Sequence, residues 1–266
     1  MALKMSDELL GIVMPILVYW IYSGIYMALE STKSFDNYKL HSKEDEDDNN
    51  LVSKTTVIKG VLLTQTLQAV GAFLLFTVTR GNEAETSPRE PSSLIIIATQ
   101  FVIAMLVFDT WTYFTPRYMH QNKFLYRHLH SWHHQLVVSY AFGVQYTHPL
   151  EGLLVDTVGG ALAFIVSGMS PRTSIFFFLF VSLKIVDDHC GLRLPGNLIQ
   201  IFFKNNSAYH DVHHQLYGGK YNFSQPSFIM GDRILGTYMP YSLEKRAEGA
   251  FEVRAAAGIK EYNKDG

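Results

Sequence analysis

The chain has 266 residues, 48% of them hydrophobic and 17% charged, with a formal charge of −2. A soluble domain carries about 25% charged residues, so the composition points to a chain embedded in lipid and excludes a disordered one, while the balanced charge leaves no basic field for a nucleic-acid backbone. The single cysteine, Cys190, excludes an internal disulfide framework and a cysteine-rich zinc or iron–sulfur site, so any metal falls to nitrogen and oxygen donors.

The first apolar block, Leu9 to Leu29, carries no charge. It has the length of about 20 residues that a bilayer core requires. Asp7 and Glu8 precede it and it lacks a small-residue cleavage site, so it reads as a membrane helix rather than a signal peptide. The acidic run Glu44 to Asp48 reads as a solvated loop. A second span is expected over Val61 to Thr79, followed by a short polar loop, Arg80 to Ser93. Residues 1–93 thus form an amino-terminal membrane region with two spans. A third apolar run, Leu94 to Phe108, continues into the aromatic stretch Trp111 to Phe114, placed at the membrane interface. It opens a region, 94–240, that carries nearly all the histidines.

Two further apolar stretches, Leu153 to Met169 and Ile175 to Val186, flank Ser170-Pro171, a pattern that starts a helix with serine as N-cap and proline as first helical residue. Asp156 and Lys184 interrupt them, so a shallow hairpin and two full spans both fit. Residues 241–266 read as a flexible charged tail. The expected fold is all-α: a multi-span membrane helix bundle. Lys33, Lys39, Lys43 and Lys54 follow the first span, against Arg80 and Arg89 after the second, which puts the first loop on the cytosolic side. Counting spans puts the histidine-rich segments there too. On that face the glycosylation patterns at Asn205 and Asn222 are coincidental.

Ten of the eleven histidines lie between His120 and His214. His130-Ser131-Trp132-His133-His134 recurs in form as His210-Asp211-Val212-His213-His214. Positions i, i+3 and i+4 share a helix face, so each box is expected to aim three imidazoles at one point. With His120, His148 and His189 the donor set reaches nine, beyond the four that a single ion takes. Two metals are therefore expected. His148 stands evenly between ligand and support for one, and Asp187 and Asp188 are placed to orient His189. His41 and His128 read as ordinary hydrogen-bonded or surface residues. Imidazole suits iron, copper and zinc alike. A pair of irons activating dioxygen is preferred, because attack on an unactivated C–H bond needs an oxidant that side chains do not supply.

The stretch from Asp109 to Met239 resembles the fatty acid hydroxylase superfamily of membrane non-haem iron enzymes, and most closely the plant and fungal sphinganine C4-hydroxylases. The resemblance rests on Arg117 to His120, His128 to His134, His148 to Gly152, Asp187 to Gly191 and Asn205 to His214, and extends to Ser6 to Leu10 and Leu51 to Lys54. It implies an endoplasmic reticulum enzyme with a cytosolic di-iron centre, in which zinc is an alternative occupant in vitro. It further implies dioxygen as co-substrate, electrons from cytochrome b5 and its reductase, a long-chain base or very-long-chain lipid as substrate, and a homo-oligomer as a compatible assembly. The product is a base hydroxylated at C4 in sphingolipid biosynthesis. One position departs from the pattern: the family's first box is H-x-x-x-H, and Pro116 stands where its first histidine would. Ser139 and Gly231 depart as well, from a common proline and tryptophan. A very-long-chain aldehyde decarbonylase and a sterol methyl oxidase share the boxes, and the loss at Pro116 also admits a non-catalytic paralogue.

Overall fold

Helix-forming segments dominate the computed structural model of the protein, which describes residues 6–80, 93–246 and 250–256. Ser6 caps the first helix, α1 (Asp7–Glu30), by accepting from the Leu9 N–H, and Asp7 and Glu8 sit in the first turn, where the helix dipole favours negative charge. The acidic run is a helix, α2 (Lys43–Asn49), and not a loop. Ser42 and Asp45 cap it reciprocally, while Lys54 and Arg246 offset its charge through Glu46 (2.8 Å) and Asp45 (2.7 Å). The next helix, α3 (Lys54–Arg80), begins earlier than its apolar core. The loop expected after it falls, apart from its two end residues, outside the described residues.

The third apolar run does not stop at the interface. The helix α4 (Leu94–Gln121) carries Pro116 within its last turns and delivers His120 at its end. A short helix, α5 (Lys123–His128), and a 3-10 turn, His130–Gln135, follow. Then α6 (Pro149–Gly152), a π-helical segment, Leu153–Val158, and α7 (Gly159–Ser167) run on continuously. As the sequence predicts, Ser170 accepts from the Thr173 N–H (3.1 Å) at the start of α8 (Pro171–Asp188). The short helices α9 (Leu198–Phe202), α10 (Ser207–His214) and α11 (Met230–Leu235) complete the helical part. The region expected to be a flexible tail holds an antiparallel pair, β1 (Tyr241–Lys245) and β2 (Phe251–Ala255), with Leu243 opposite Val253. Val253 is buried with Leu40, Ala208, Val212 and Met239, which is why these residues are ordered.

Among the described residues four helices are long and apolar enough to cross a membrane: Asp7–Glu30, Lys54–Val78, Leu94–Gln121 and Pro149–Ser167. Only 11 to 17% of the first three is buried within the chain, against 39% of the fourth. Side chains such as Ile21, Leu63, Val78 and Ile95 therefore face lipid. The helix α8, with Arg172, Lys184, Asp187 and Asp188, is not among the four; it packs along α1, as α7 packs along α4. Gly159 permits that second contact, since a Cβ there would lie 2.6 Å from the Trp111 ring.

Candidate metal centre

Eight histidines from four parts of the chain meet in two groups, a partly buried one of His120, His130, His134 and His213 and a fully buried one of His133, His189, His210 and His214, each holding its donor atoms within 4.8 Å of one another. Neither box serves one group. The 3-10 turn sends His130 and His134 to the first group and His133 to the second, and α10 sends His210 and His214 to the second and His213 to the first. The expectation that each box converges on one point is therefore corrected. On α10 the reason is angular: residues four apart lie about 40° apart around the axis, whereas the residue at i+3 falls on their flank.

The donor atoms have the spacing of ligands around an ion. A tetrahedral ion with metal–nitrogen bonds of about 2.0–2.1 Å sets its donors roughly 3.4 Å apart. The His134 Nε2 lies 3.0 Å from the His120 Nε2 and 3.1 Å from the His130 Nε2, and the His189 Nε2 lies 3.5 Å from that of His133. Ring orientation is fixed from behind. The Nδ1–H groups of His189, His213 and His214 donate to the carbonyls of Ile185 (3.0 Å), Tyr221 (2.8 Å) and Leu136 (2.9 Å), which leaves each Nε2 lone pair facing its group. His130 Nδ1 meets the buried Glu151 carboxylate at 2.5 Å. The His133 Nδ1, both nitrogens of His210 and the His214 Nε2 are buried without a protein partner, and a bound ion would satisfy the His214 Nε2 and one nitrogen of His210.

Electrostatics prepares the same chemistry. Burial, reinforced by neighbouring imidazoles, holds His133, His134, His210 and His214 well below the usual imidazole range and pushes His189 and His213 down to about 3. Each shift favours the neutral ring that ligation requires. Burial also works against a charge on His41, but Asp211 at 2.7 Å outweighs it and raises that group.

Two expectations about supporting residues change. His148 belongs to neither group; it caps α6, its Nδ1 accepting from the Leu150 N–H (3.3 Å), with its ring edge against Trp132. Its position just before Pro149 starts that helix and turns the ring away. Asp187 and Asp188 do not orient His189: Asp187 accepts from Tyr26 and Asn197, and Asp188 pairs with the buried Lys184. His128 is exposed, as expected, and Asn205 and Asn222 are fully buried, which removes both glycosylation patterns from any enzyme's reach. Glu151 escaped the sequence reading as a supporting residue. Its signal was a carboxylate isolated in an otherwise apolar stretch.

A cavity of about 240 Å³ opens beneath the histidines. His130, His133, His189 and Pro116 are among the residues that line it, together with Ile16, Ala72, Phe108, Phe164 and Phe178 from the membrane helices. The fatty acid hydroxylase family model matches residues 101–237, the stretch that holds all eight grouped histidines. The chain belongs to the fatty acid hydroxylase family. It is 65% identical to sphinganine C4-monooxygenase 1 of Arabidopsis thaliana, over 98% of this chain and 99% of that one. It is 57% identical to the very-long-chain aldehyde decarbonylase GL1-9 of Oryza sativa subsp. japonica, over 94% and 95%. The sphingolipid C4-hydroxylase sur2 of Schizosaccharomyces pombe is 36% identical, over 91% and 94%. No solved structure matches the chain.

Proposed function

We propose that this fatty acid hydroxylase is a membrane monooxygenase that hydroxylates C4 of sphinganine, with two iron ions held by the two histidine groups. The observation that carries the reading is the pair of four-imidazole groups, three of whose rings line an apolar cavity walled by membrane helices, in a chain that matches sphinganine C4-monooxygenases over nearly its full length. His120, His130, His134 and His213 hold one ion and His133, His189, His210 and His214 the other. When bound, the irons supply with dioxygen the oxidant that an unactivated C–H bond demands. The chain does the rest. Carbonyls and Glu151 fix the rings, burial favours their neutral form, and the apolar walls hold an alkyl chain away from water.

Eight donors assemble although Pro116 contributes none, which favours an active enzyme over a non-catalytic paralogue. Residues 94–240 form the catalytic region, and residues 1–93 supply two spans and two walls of the cavity. The centre faces the cytosol at the endoplasmic reticulum, where cytochrome b5 and its reductase deliver electrons. Aldehyde decarbonylation is the second reading, favoured by the 57% identity to a protein of that name. Expression in cells lacking a C4-hydroxylase, with lipid mass spectrometry, separates them. Trihydroxy bases support the proposal; alkanes shortened by one carbon, without trihydroxy bases, overturn it.

A further inference from the structure

Apart from the three grouped histidines, the ionisable residues of the apolar cavity that could carry charge within its walls are acids. Among the described residues that line it are Glu151 and Asp156, and neither lysine nor arginine. Asp156 lies in the π-helical segment of a membrane-spanning helix, a place where an ionisable side chain is expensive and marks a function by default. Its Oδ2 accepts from the Gln68 Nε2 at 2.8 Å, a neutral donor, so no cationic partner from the described residues that line the cavity stands beside it. Glu151 and Asp156 are five residues apart on one continuous helix, roughly 7 Å along its axis. Two more polar atoms of the same cavity are buried and without a partner: the second Glu151 oxygen, Oε2, and the Thr147 Oγ1.

A cavity with a carboxylate that lacks a cationic partner among these lining residues and two free hydrogen-bonding atoms beside an apolar tunnel complements an amphiphile with one cationic group and adjacent hydroxyls. We infer that Asp156, steadied by Gln68, binds the primary ammonium of a free long-chain base, with Glu151 Oε2 and Thr147 Oγ1 facing its hydroxyls, so that the protein selects the cationic base over its neutral N-acylated form. This rests on the C4-hydroxylase reading and deepens it. The ammonium of a 2-amino-1,3-diol is borne on a carbon two positions from C4, so anchoring it at Asp156 holds C4 within the same cavity that His130 lines. Fatty aldehydes and sterols carry no cation for this carboxylate.

The test uses the full-length, metal-loaded protein in neutral detergent, with sphinganine and N-acetylsphinganine as probes and their dissociation constants as readout. The natural chain is expected to bind sphinganine at least tenfold more tightly. Asp156→Asn, which keeps the shape and loses the charge, should abolish that preference. Asp156→Glu should retain it, as should Asp47→Asn, the same charge change at an exposed position of α2. Equal binding of the two probes by the natural chain overturns the inference without any variant, and so does a tenfold preference that survives in Asp156→Asn. Should that variant fail to hold metal, Asp156→Ser replaces it. Product analysis on the same samples keeps the two readings apart. A cation preference without trihydroxy base sinks the hydroxylase reading and leaves the ammonium site standing; trihydroxy base without the preference does the reverse.

Discussion

Replacing Glu151 tests whether the first histidine group depends on the carboxylate behind it. Glu151 is buried and its Oε1 lies 2.5 Å from the His130 Nδ1, so the contact is a charge-assisted hydrogen bond shielded from water. Such bonds contribute about 1.5–3 kcal/mol, against about 0.5–1.5 for neutral ones. Glu151→Gln keeps an oxygen that accepts from the ring and loses the charge, a difference on the order of 1.4 kcal/mol, or about tenfold in metal affinity. Glu151→Leu also leaves the ring nitrogen unpartnered and should cost toward 100-fold, the upper end of the range for residues that orient metal-binding histidines. The assay is a chelator titration of the purified protein in detergent, with metal per chain counted by mass spectrometry. One equivalent should leave at about tenfold lower chelator in Glu151→Gln and at still lower chelator in Glu151→Leu. The other should shift less, because Glu151 bonds no ring of the second group. Both variants releasing metal along the natural chain's curve would refute the reasoning.

The remaining predictions probe the centre from other sides. Pro116→His adds an imidazole one turn before His120 and removes a proline from a helix interior, so the variant should release metal more slowly to a chelator and melt at a higher temperature; faster release would refute a ligand role for position 116. In the metal-free protein the depressed histidines make stability depend on pH. The unfolded chain takes up protons near pH 6.5 while the folded rings resist down to about 3 for His189 and His213. Their contribution is therefore complete above pH 6.5 and is lost as pH falls below it, at about 1.4 kcal/mol per ring per pH unit. The melting temperature of apoprotein should drop steeply from pH 7 to 5, and a flat profile would contradict buried neutral imidazoles. Finally, a Cβ on Gly231 would lie 2.7 Å from the Tyr113 ring. Gly231→Ala should destabilise by about 1–3 kcal/mol in denaturant unfolding, unless Tyr113 swings aside at no cost.

The spans were legible because lipid enforces long uncharged runs, and helix starts such as Ser170-Pro171 were legible because capping is local chemistry. That eight of the histidines would gather was legible for a similar reason: the repeated boxes cluster donors in the sequence itself. Their partition was not. The angular offset of i+3 from i and i+4 separates His213 from its neighbours on α10, but which histidines of the other box each set joins depends on how α10 docks against the 3-10 turn, a long-range fact. His148 misled because it neighbours the boxes in kind, while its role was set by the proline that follows it. The helix of the acidic run was missed because a block of like charges reads as solvated until Lys54 and the distant Arg246 are seen beside it.

The strand pair at the carboxyl side has a consequence for the order of assembly. The Phe251 N–H donates to the Lys39 carbonyl, Lys39 bridges to Leu192, and Val253 closes over Leu40 and Val212 on the back of α10. A ribosome makes the amino-terminal half of this clasp early and the other half after every membrane helix has emerged. The face of α10 opposite His210, His213 and His214 is covered only then, so a chain arrested before β2 would have its spans complete and this side of α10 uncovered.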